Sequence, residues 1–190
     1  MHEFAAVQSQ TELPKHIEQV RYLVGERWGL VLRPYISKNQ TEEEVPFRKA
    51  GSYVITGGLG GIGFTLANFL AKNYQAKLVL IGRSSLTTKQ QAQVQDLERL
   101  GSEAIYQQAE VTQKEDVQAL VVAAKQKFGE INGVIHGAGV LRDGLIMNKS
   151  LDEIQAAVDP KLYGTLWLDE FTKHEHLDFF ALFSSLASVY

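Results

Sequence analysis

Short aliphatic runs alternate with longer segments of helical period from residue 52 to the end of the chain. Five runs have the composition of β-strands: Ser52–Thr56, Lys77–Ile81, Glu103–Gln107, Gly133–His136 and Asp178–Ser184. Between them, apolar side chains recur at helical spacing, as at Ile62, Leu66 and Leu70 or at Val117, Leu120, Val121, Ala124 and Phe128. This alternation is typical of parallel strands joined by crossover helices. The sequence therefore predicts an α/β fold, a Rossmann-type doubly wound parallel sheet.

Three short patterns indicate where helices begin. Thr112 to Glu115 and Ser150 to Glu153 have the form of a capping box, a hydroxyl residue followed three positions later by a glutamate. Asp159-Pro160 places a good N-cap residue before a proline, which is favoured at the first helical position. We therefore predict that helices start at these three places.

A glycine-rich loop lies where the first predicted strand ends and the first helix begins. Its sequence is Thr56-Gly57-Gly58-Leu59-Gly60-Gly61-Ile62-Gly63. Glycine permits a tight turn and lets backbone N–H groups approach a pyrophosphate, while the helix N-terminus adds partial positive charge. A flexible turn is the alternative for a glycine-rich sequence, but the position between strand and helix predicts dinucleotide binding.

The end of the second predicted strand indicates which dinucleotide binds. NAD-binding domains usually place a carboxylate here for the ribose hydroxyls. This chain has Arg83 and Ser84 instead, and its next acidic residue is Asp96. Arg83 can pair with a 2′-phosphate and Ser84 can donate a further hydrogen bond, so NADPH is the predicted cofactor. The alternative is that Arg83 is an ordinary loop cation in solvent.

Composition and charge exclude several classes of function. Lys plus Arg number 19 and Asp plus Glu 22, a net charge of −3, so the chain lacks the basic excess of nucleic-acid-binding proteins. It has no cysteine, which excludes disulfides and thiolate metal sites and fits a cytoplasmic location. We predict no metal site, because His174 and His176 lack further ligands. No membrane association is predicted, since the apolar runs are short and no signal peptide is evident.

The first fifty residues show no phosphate-loop chemistry. Apolar residues on both sides of Val24-Gly25-Glu26-Arg27 predict a β-hairpin, which needs another surface to pack on. The polar stretch Lys38–Glu44 predicts a linker. The predicted organisation is therefore a hairpin and linker over residues 1–50 and a dinucleotide-binding domain over residues 51–190.

Four motifs occur in order along the chain. They are Thr56-Gly57-x-x-x-Gly61-x-Gly63, His136-Gly137-Ala138-Gly139-Val140-Leu141-Arg142-Asp143-Gly144, Asp159-Pro160-Lys161-Leu162-Tyr163-Gly164-Thr165 and Leu177-Asp178-Phe179-Phe180-Ala181-Leu182-Phe183-Ser184-Ser185. Together they resemble the ketoreductase domain of modular polyketide synthases, in the short-chain dehydrogenase/reductase superfamily. The stretch Val20–Arg27 is similar to the end of the structural subdomain that precedes such domains.

The resemblance implies an NADPH-dependent oxidoreductase of polyketide antibiotic biosynthesis. Its substrate would be a β-ketoacyl chain held as a phosphopantetheine thioester on an acyl carrier protein. That carrier and the other domains of a multifunctional synthase are the implied partners. One alternative is a non-catalytic or partial ketoreductase that acts as a scaffold or assembles with another chain. A free-standing dehydrogenase is disfavoured, because such enzymes usually carry the lysine after the tyrosine.

The resemblance also assigns roles to single residues. Lys161 matches the active-site lysine, and Ser185 matches the serine that hydrogen-bonds the substrate carbonyl. Gly137, Ala138 and Gly139 join the cofactor-binding set. Without the resemblance, Lys161 is interpreted as a surface lysine and Ser184-Ser185 as a turn.

Two positions depart from the family pattern near the predicted cofactor and substrate. Glu110 stands where the family has an aspartate that meets the adenine, and the backbone of Val111 keeps its place beside it. Leu141-Arg142-Asp143 replaces Leu-Asp-Asp and keeps the last aspartate. By resemblance, Asp143 implies the B-type outcome, a D-configured 3-hydroxyl; the alternative is that Asp143 caps the next turn.

The family's proton donor is a further departure. It is a tyrosine about thirteen residues after the serine, which would place it near position 198. Tyr190 lies only five residues after Ser185 and does not match it. We therefore expect the chain to be incomplete at its C-terminus and, alone, to bind cofactor better than it catalyses.

Overall fold

The structure is a computed structural model that describes residues 2–6, 20–32 and 45–185. The chain divides into two compact units, Met1–Val45 and Pro46–Tyr190. Each unit has its own sheet, three-stranded in the first and five-stranded in the second over the described residues.

The described residues of the first unit form an antiparallel sheet. Its strands are β1 (His2–Ala6), β2 (Val20–Leu23) and β3 (Glu26–Leu32), in the order β1-β3-β2. The predicted hairpin is confirmed: β2 pairs with β3, and the turn residues Val24 and Gly25 have φ angles of 50° and 82°. Positive φ at both positions gives a turn that matches the twist of the strands. Strand β1 was not predicted, and the predicted linker Lys38–Glu44 lies outside the described residues.

The second unit contains the predicted parallel sheet. Its strands are β4 (Ser52–Thr56), β5 (Lys77–Gly82), β6 (Glu103–Gln108), β7 (Gly133–His136) and β8 (Phe179–Leu182). All neighbouring pairs are parallel, and the order is β6-β5-β4-β7-β8. The chain therefore winds outward from β4 in one direction and then from β7 in the other. Ligands bind such doubly wound sheets at the carboxyl ends of the strands where the direction reverses, which here is between β4 and β7.

Helices cover both faces of this sheet. The α-helices of the described part are α1 (Gly61–Tyr74), α2 (Thr88–Arg99), α3 (Lys114–Phe128) and α4 (Leu151–Thr172). Helices α1 and α2 pack against one face, which carries Tyr53 and Ile55, and α3 and α4 pack against the other, which carries Val54. Because successive strand residues point to opposite faces, β4 is buried on both sides. No helix in the described ranges is long and apolar enough to cross a membrane.

The predicted capping box at Ser150 is confirmed, and it begins α4. The Ser150 hydroxyl accepts from the backbone N–H of Glu153, whose carboxylate accepts from the N–H of Ser150. The prediction that a helix starts at Asp159-Pro160 is wrong, because α4 continues through Pro160. Pro160 is buried, so the packing of α4 outweighs the preference of proline for a first turn.

The predicted cap at Thr112 is also wrong. Gln113 is the N-cap residue of α3 and makes no side-chain capping bond. Thr112 lies in a turn held by Glu110, whose carboxylate accepts from the Thr112 N–H and whose carbonyl accepts from the Gln113 N–H. Helix α2 was not predicted, because Leu97 is its one buried residue and its apolar pattern is weak.

Candidate active site

The glycine loop between β4 and α1 is folded tightly against the start of α1 and the loop after β7. The Gly57 N–H donates to the Ile81 carbonyl at 2.8 Å, and the Gly60 N–H donates to the Gly57 carbonyl at 2.9 Å. A Cβ on Gly63 would lie 2.3 Å from the Gly57 carbonyl oxygen, and a Cβ on Gly57 would lie 3.1 Å from the Gly137 backbone. Glycine at 57 and 63 therefore lets the two loops and the helix meet.

The N-terminus of α1 faces this loop without a capping side chain. Gly60 is the N-cap residue, and the first turn of the helix contains no acidic residue. Nothing in that turn therefore offsets the partial positive charge of the helix end. This arrangement suits an anion such as a pyrophosphate.

A cleft of about 600 Å³, partly open to solvent, runs along the carboxyl ends of β4, β5, β6 and β7. Eight of its lining residues belong to the predicted cofactor set: Gly57, Gly60, Arg83, Glu110, Val111, Gly137, Ala138 and Gly139. The sequence interpretation missed other lining residues: Ile81, Gly82, Ala109, Val140 and Pro160. All of them except Pro160 lie at or near the ends of predicted strands, and that position could have identified them. Pro160 was interpreted only as a helix start.

Other predicted residues lie beside or below the cleft. Gly58 packs on Leu80, and a Cβ there would lie 2.8 Å from its Cδ2 atom. Leu59 and Gly61 line a second depression, between the N-termini of α1 and α2, and the Ile62 side chain is 70% exposed. The glycine loop thus presents some residues to the cleft and uses others for packing.

Arg83 stands at the end of β5 with its backbone fixed. Its carbonyl accepts from the Gln108 side chain at 3.0 Å, and the next carbonyl, that of Ser84, accepts from the Tyr106 hydroxyl. Within the described ranges the Arg83 guanidinium enters no ion pair. Arg83 therefore offers a positive charge at the cleft, just past the end of β5, where the sequence places no carboxylate.

Glu110 and Val111 form the cleft wall at the end of β6. The Glu110 N–H donates to the Asp116 carboxylate at 2.8 Å, and the Glu110 carboxylate accepts from Thr112. Val111 is buried, with 3% of its surface exposed. The carboxylate of Glu110 is thus partly used within its own turn.

Thr56 lies under the cleft floor. Its side chain is fully buried, and its hydroxyl oxygen accepts from the Ala138 N–H at 3.0 Å and lies 2.7 Å from His136 Nδ1. The other ring nitrogen of His136 lies 2.9 Å from the Pro160 carbonyl oxygen. The Thr56 hydroxyl therefore supports the loop after β7 from below.

Lys161 does not line the cleft but lies at its mouth, beside the lining residue Gly139. Its ammonium donates to the Phe183 carbonyl at 3.0 Å, just past the end of β8. A Cβ on Gly139 would lie 3.1 Å from Lys161 Cε, so the side chain crosses that glycine. Partial burial lowers the pKa of the Lys161 ammonium below its ordinary value. Ser185 is exposed two residues beyond Phe183, so the structure brings the segment that carries it to Lys161.

Asp143 lies on the exposed loop between β7 and α4. The carbonyl of the preceding residue, Arg142, accepts from the Lys149 ammonium. Asp143 is not among the residues that line the cleft.

The donor set of the cleft fits a nicotinamide dinucleotide. The uncapped start of α1 and the N–H groups of the tight glycine loop suit the pyrophosphate. The buried strand ends form an apolar wall beside it. Lys161, joined to the segment that carries Ser185, lies beside the cleft at Gly139.

Comparison with known families matches residues 51–190 to the family described as KR domain. Polyketide synthase PksM of Bacillus subtilis (strain 168) is 38% identical over 186 residues, which are 98% of this chain and 4% of that protein. Polyketide synthase PksN of the same organism is 38% identical over 188 residues, which are 97% of this chain and 3% of that protein. The chain therefore spans a small part of these curated relatives.

Solved structures give the same result. A ketoreductase domain from the bacillaene assembly line is 34% identical with a TM-score of 0.83, over 91% of this chain and 41% of that one. An N-terminal ketoreductase from the macrolactin assembly line is 36% identical with a TM-score of 0.74, over 87% and 33%. The NADH-dependent reductase A1-R′ complexed with NAD is 25% identical with a TM-score of 0.58, over 65% and 51%. This chain belongs to the ketoreductase domain family of polyketide synthases, oxidoreductases with the short-chain dehydrogenase/reductase fold that use nicotinamide cofactors.

Proposed function

We propose that this chain is part of a polyketide synthase ketoreductase that uses NADPH to reduce a β-ketoacyl thioester to the β-hydroxyacyl thioester. The observation that carries the proposal is the contact between Lys161 and the Phe183 carbonyl at the cleft mouth. It joins the helix that carries the family's lysine to the segment that carries Ser185. Two residues that the resemblance selects from distant parts of the sequence thus come from adjoining elements.

The chemistry follows from the positions of these groups. NADPH, when bound, would supply the hydride that is added to the carbonyl carbon of the β-keto group. The Ser185 hydroxyl donates a hydrogen bond to the carbonyl oxygen and holds it in place. The positive charge of Lys161 favours the negative charge that develops on that oxygen and lowers the pKa of a neighbouring phenol acid. The N–H groups at the start of α1 anchor the pyrophosphate.

The proton that completes the reduction is assigned to a tyrosine near position 198. No tyrosine among the 190 residues has the family's spacing from Ser185. Loss of a general acid lowers the rate by about 10²–10⁴-fold. We therefore expect the 190-residue chain to bind NADPH but to reduce its substrate slowly.

The partner is an acyl carrier protein that presents the chain as a phosphopantetheine thioester, within a cytoplasmic multidomain synthase. Asp143 lies on the exposed loop that leads from the lining residue Val140 to α4. We propose a D-configured hydroxyl for the product. Chiral chromatography of the product checks this, and an L-configured product contradicts the role given to Asp143.

Turnover by a longer chain tests the reductase proposal. A protein that continues past Tyr190 through the rest of the synthase's ketoreductase domain is incubated with NADPH and a β-ketoacyl N-acetylcysteamine thioester. We expect loss of reduced nicotinamide absorbance together with the hydroxy product, and a kcat about 10²-fold lower in Ser185→Ala with NADPH affinity unchanged. A longer chain that binds NADPH but forms no product overturns the proposal and supports the non-catalytic scaffold.

The preference for NADPH is tested at Arg83. A charge-assisted hydrogen bond contributes about 1.5–3 kcal/mol, so Arg83→Gln should weaken NADPH binding by about 10–100-fold. NADH binding should change by less than about twofold, because NADH has no 2′-phosphate. Arg99→Gln is the matched control: it removes the same charge from the C-terminal turn of α2. Equal losses for both cofactors, or equal effects of the two substitutions, contradict the role of Arg83.

A further inference from the structure

His136 is a buried titratable side chain that the proposed chemistry does not use. It ends β7 and has 1% of its surface exposed. Its Nδ1 lies 2.7 Å from the Thr56 hydroxyl oxygen and its Nε2 lies 2.9 Å from the Pro160 carbonyl oxygen. Both ring nitrogens are therefore engaged by groups that belong to different elements, β4 and α4.

The partners determine which ring nitrogen carries the proton. The Pro160 carbonyl can only accept, so His136 Nε2 must donate. In the neutral ring Nδ1 then accepts from the Thr56 hydroxyl, whose oxygen accepts from the Ala138 N–H at 3.0 Å. Burial lowers the pKa of His136 and the positive charge of Lys161 lowers it further, against the effect of the Pro160 carbonyl, so the ring stays neutral. One continuous chain of hydrogen bonds thus runs from Ala138 to Pro160.

Both ends of this chain lie next to Lys161. At one end, Ala138 precedes Gly139, over which the Lys161 side chain passes. At the other end, Pro160 is the residue immediately before Lys161 in α4. The hydrogen bonds therefore link Ala138, next to the glycine that the Lys161 side chain crosses, to the helix backbone that carries Lys161.

The composition of α4 favours the same contact. Pro160 and Gly164 are four positions apart and so share one face of the helix. A Cβ on Gly164 would lie 2.8 Å from His136 Cε1 and 2.9 Å from Nε2. Proline and glycine are the two poorest helix formers, yet here they bring the α4 backbone against the imidazole ring.

We propose that His136 is a positioning residue, which clamps α4 to the loop after β7 and thereby fixes the Lys161 ammonium at the mouth of the cleft. The catalytic significance of this position rests on the role proposed above for Lys161. The clamp itself can be tested without measuring turnover.

The first test uses the pKa of Lys161 to report the burial of its ammonium in the 190-residue chain. NMR of ¹³C-methylated lysines gives the pKa of Lys161, assigned by its loss in Lys161→Arg. We expect a value below that of ordinary lysines in the unmodified chain and a rise toward the ordinary value in His136→Asn, whose shorter side chain cannot reach Pro160. His136→Gln, long enough to donate to that carbonyl, should keep the lowered value. The exposed His174→Gln is the matched control and should leave it unchanged.

The second test measures turnover in the longer chain. His136→Asn should lower kcat by about 10–100-fold, the cost of a misplaced catalytic group, with NADPH affinity within about twofold. His136→Gln should recover most of that loss. If His136→Asn does not fold, Gly164→Ala replaces it, because it pushes α4 away from the ring while all hydrogen-bonding side chains remain.

The results of the two tests distinguish the positioning role of His136 from the proposed reductase function. If folded His136 or Gly164 variants leave the pKa of Lys161 and kcat unchanged, or if the loss lies wholly in NADPH affinity, the positioning role is overturned. If the longer chain reduces nothing while the pKa of Lys161 still responds to His136, the reductase proposal fails and the clamp stands.

Discussion

A methyl group on Gly63 should disrupt the glycine loop, whereas the same change two residues earlier should not. Both Gly61 and Gly63 lie in the first turn of α1. A Cβ on Gly63 would lie 2.3 Å from the Gly57 carbonyl oxygen, a backbone atom that cannot rotate away. A Cβ on Gly61 would have nothing within 4 Å. The pair therefore separates the packing requirement from the helix propensity that both substitutions improve.

The magnitudes follow from these two environments. Alanine in place of glycine in a helix gains up to about 1 kcal/mol. Overpacking against a fixed neighbour costs about 1–3 kcal/mol, and a contact this short lies at the upper end. Gly63→Ala should thus lower the free energy of unfolding by about 2 kcal/mol. In a chain of this size that corresponds to a thermal midpoint lower by about 4–8 °C.

Differential scanning calorimetry of both variants is the assay. Gly61→Ala should melt at the unmodified temperature or up to about 4 °C higher. Gly63→Ala should also lose NADPH affinity, because the loop must open to admit the methyl group. A Gly63→Ala protein as stable as Gly61→Ala would refute the argument that position 63 is glycine for packing reasons.

Two further predictions concern the capping box of α4. Ser150→Ala removes the acceptor for the Glu153 N–H and should cost about 1 kcal/mol, seen as a thermal midpoint lower by about 2–4 °C, while the same substitution at the exposed Ser85 should not reproduce that loss. Hydrogen bonding from the Ser150 N–H lowers the pKa of Glu153, so this contribution is present above pH 4.5 and is lost as the pH falls through the lowered value. The thermal advantage over Glu153→Gln should therefore be largest near neutral pH and vanish in acid; an advantage that persists in acid would contradict the charge argument.

The sheet was predictable because its strands carry their own signal. β4 and β5 are short runs whose central residues are apolar and buried, and a strand buried on both faces needs no partner to be recognised. The prediction of where β8 begins and ends was less accurate. Asp178, predicted as its first residue, instead donates its N–H to the Asn132 carbonyl and pairs with Arg48. Contacts with residues so distant in sequence have no local signal.

The candidate site was predictable to the extent that its residues lie at strand ends. Gly57, Arg83 and Gly137 follow β4, β5 and β7 and meet in one cleft because parallel strands end at one edge of the sheet. Thr56 also ends a strand, but its side chain points under the floor toward His136. A position along the chain predicts the edge that a residue reaches, whereas the direction of its side chain depends on the neighbouring strand.

Pro160 shows most clearly why the rest of the site required the structure. Within a helix proline costs about 3 kcal/mol and glycine about 1 kcal/mol relative to alanine. Asp159-Pro160 therefore predicts a helix start, and Gly164 predicts a helix of low stability. Those local costs are visible in sequence. The compensating contacts are not visible there. His136 lies 24 residues before Pro160, and its Nε2 contacts the Pro160 backbone carbonyl, a group that every residue has. At Pro160 and Gly164, two positions where local propensity disagrees with the observed helix, α4 lies against the residue that supports Lys161.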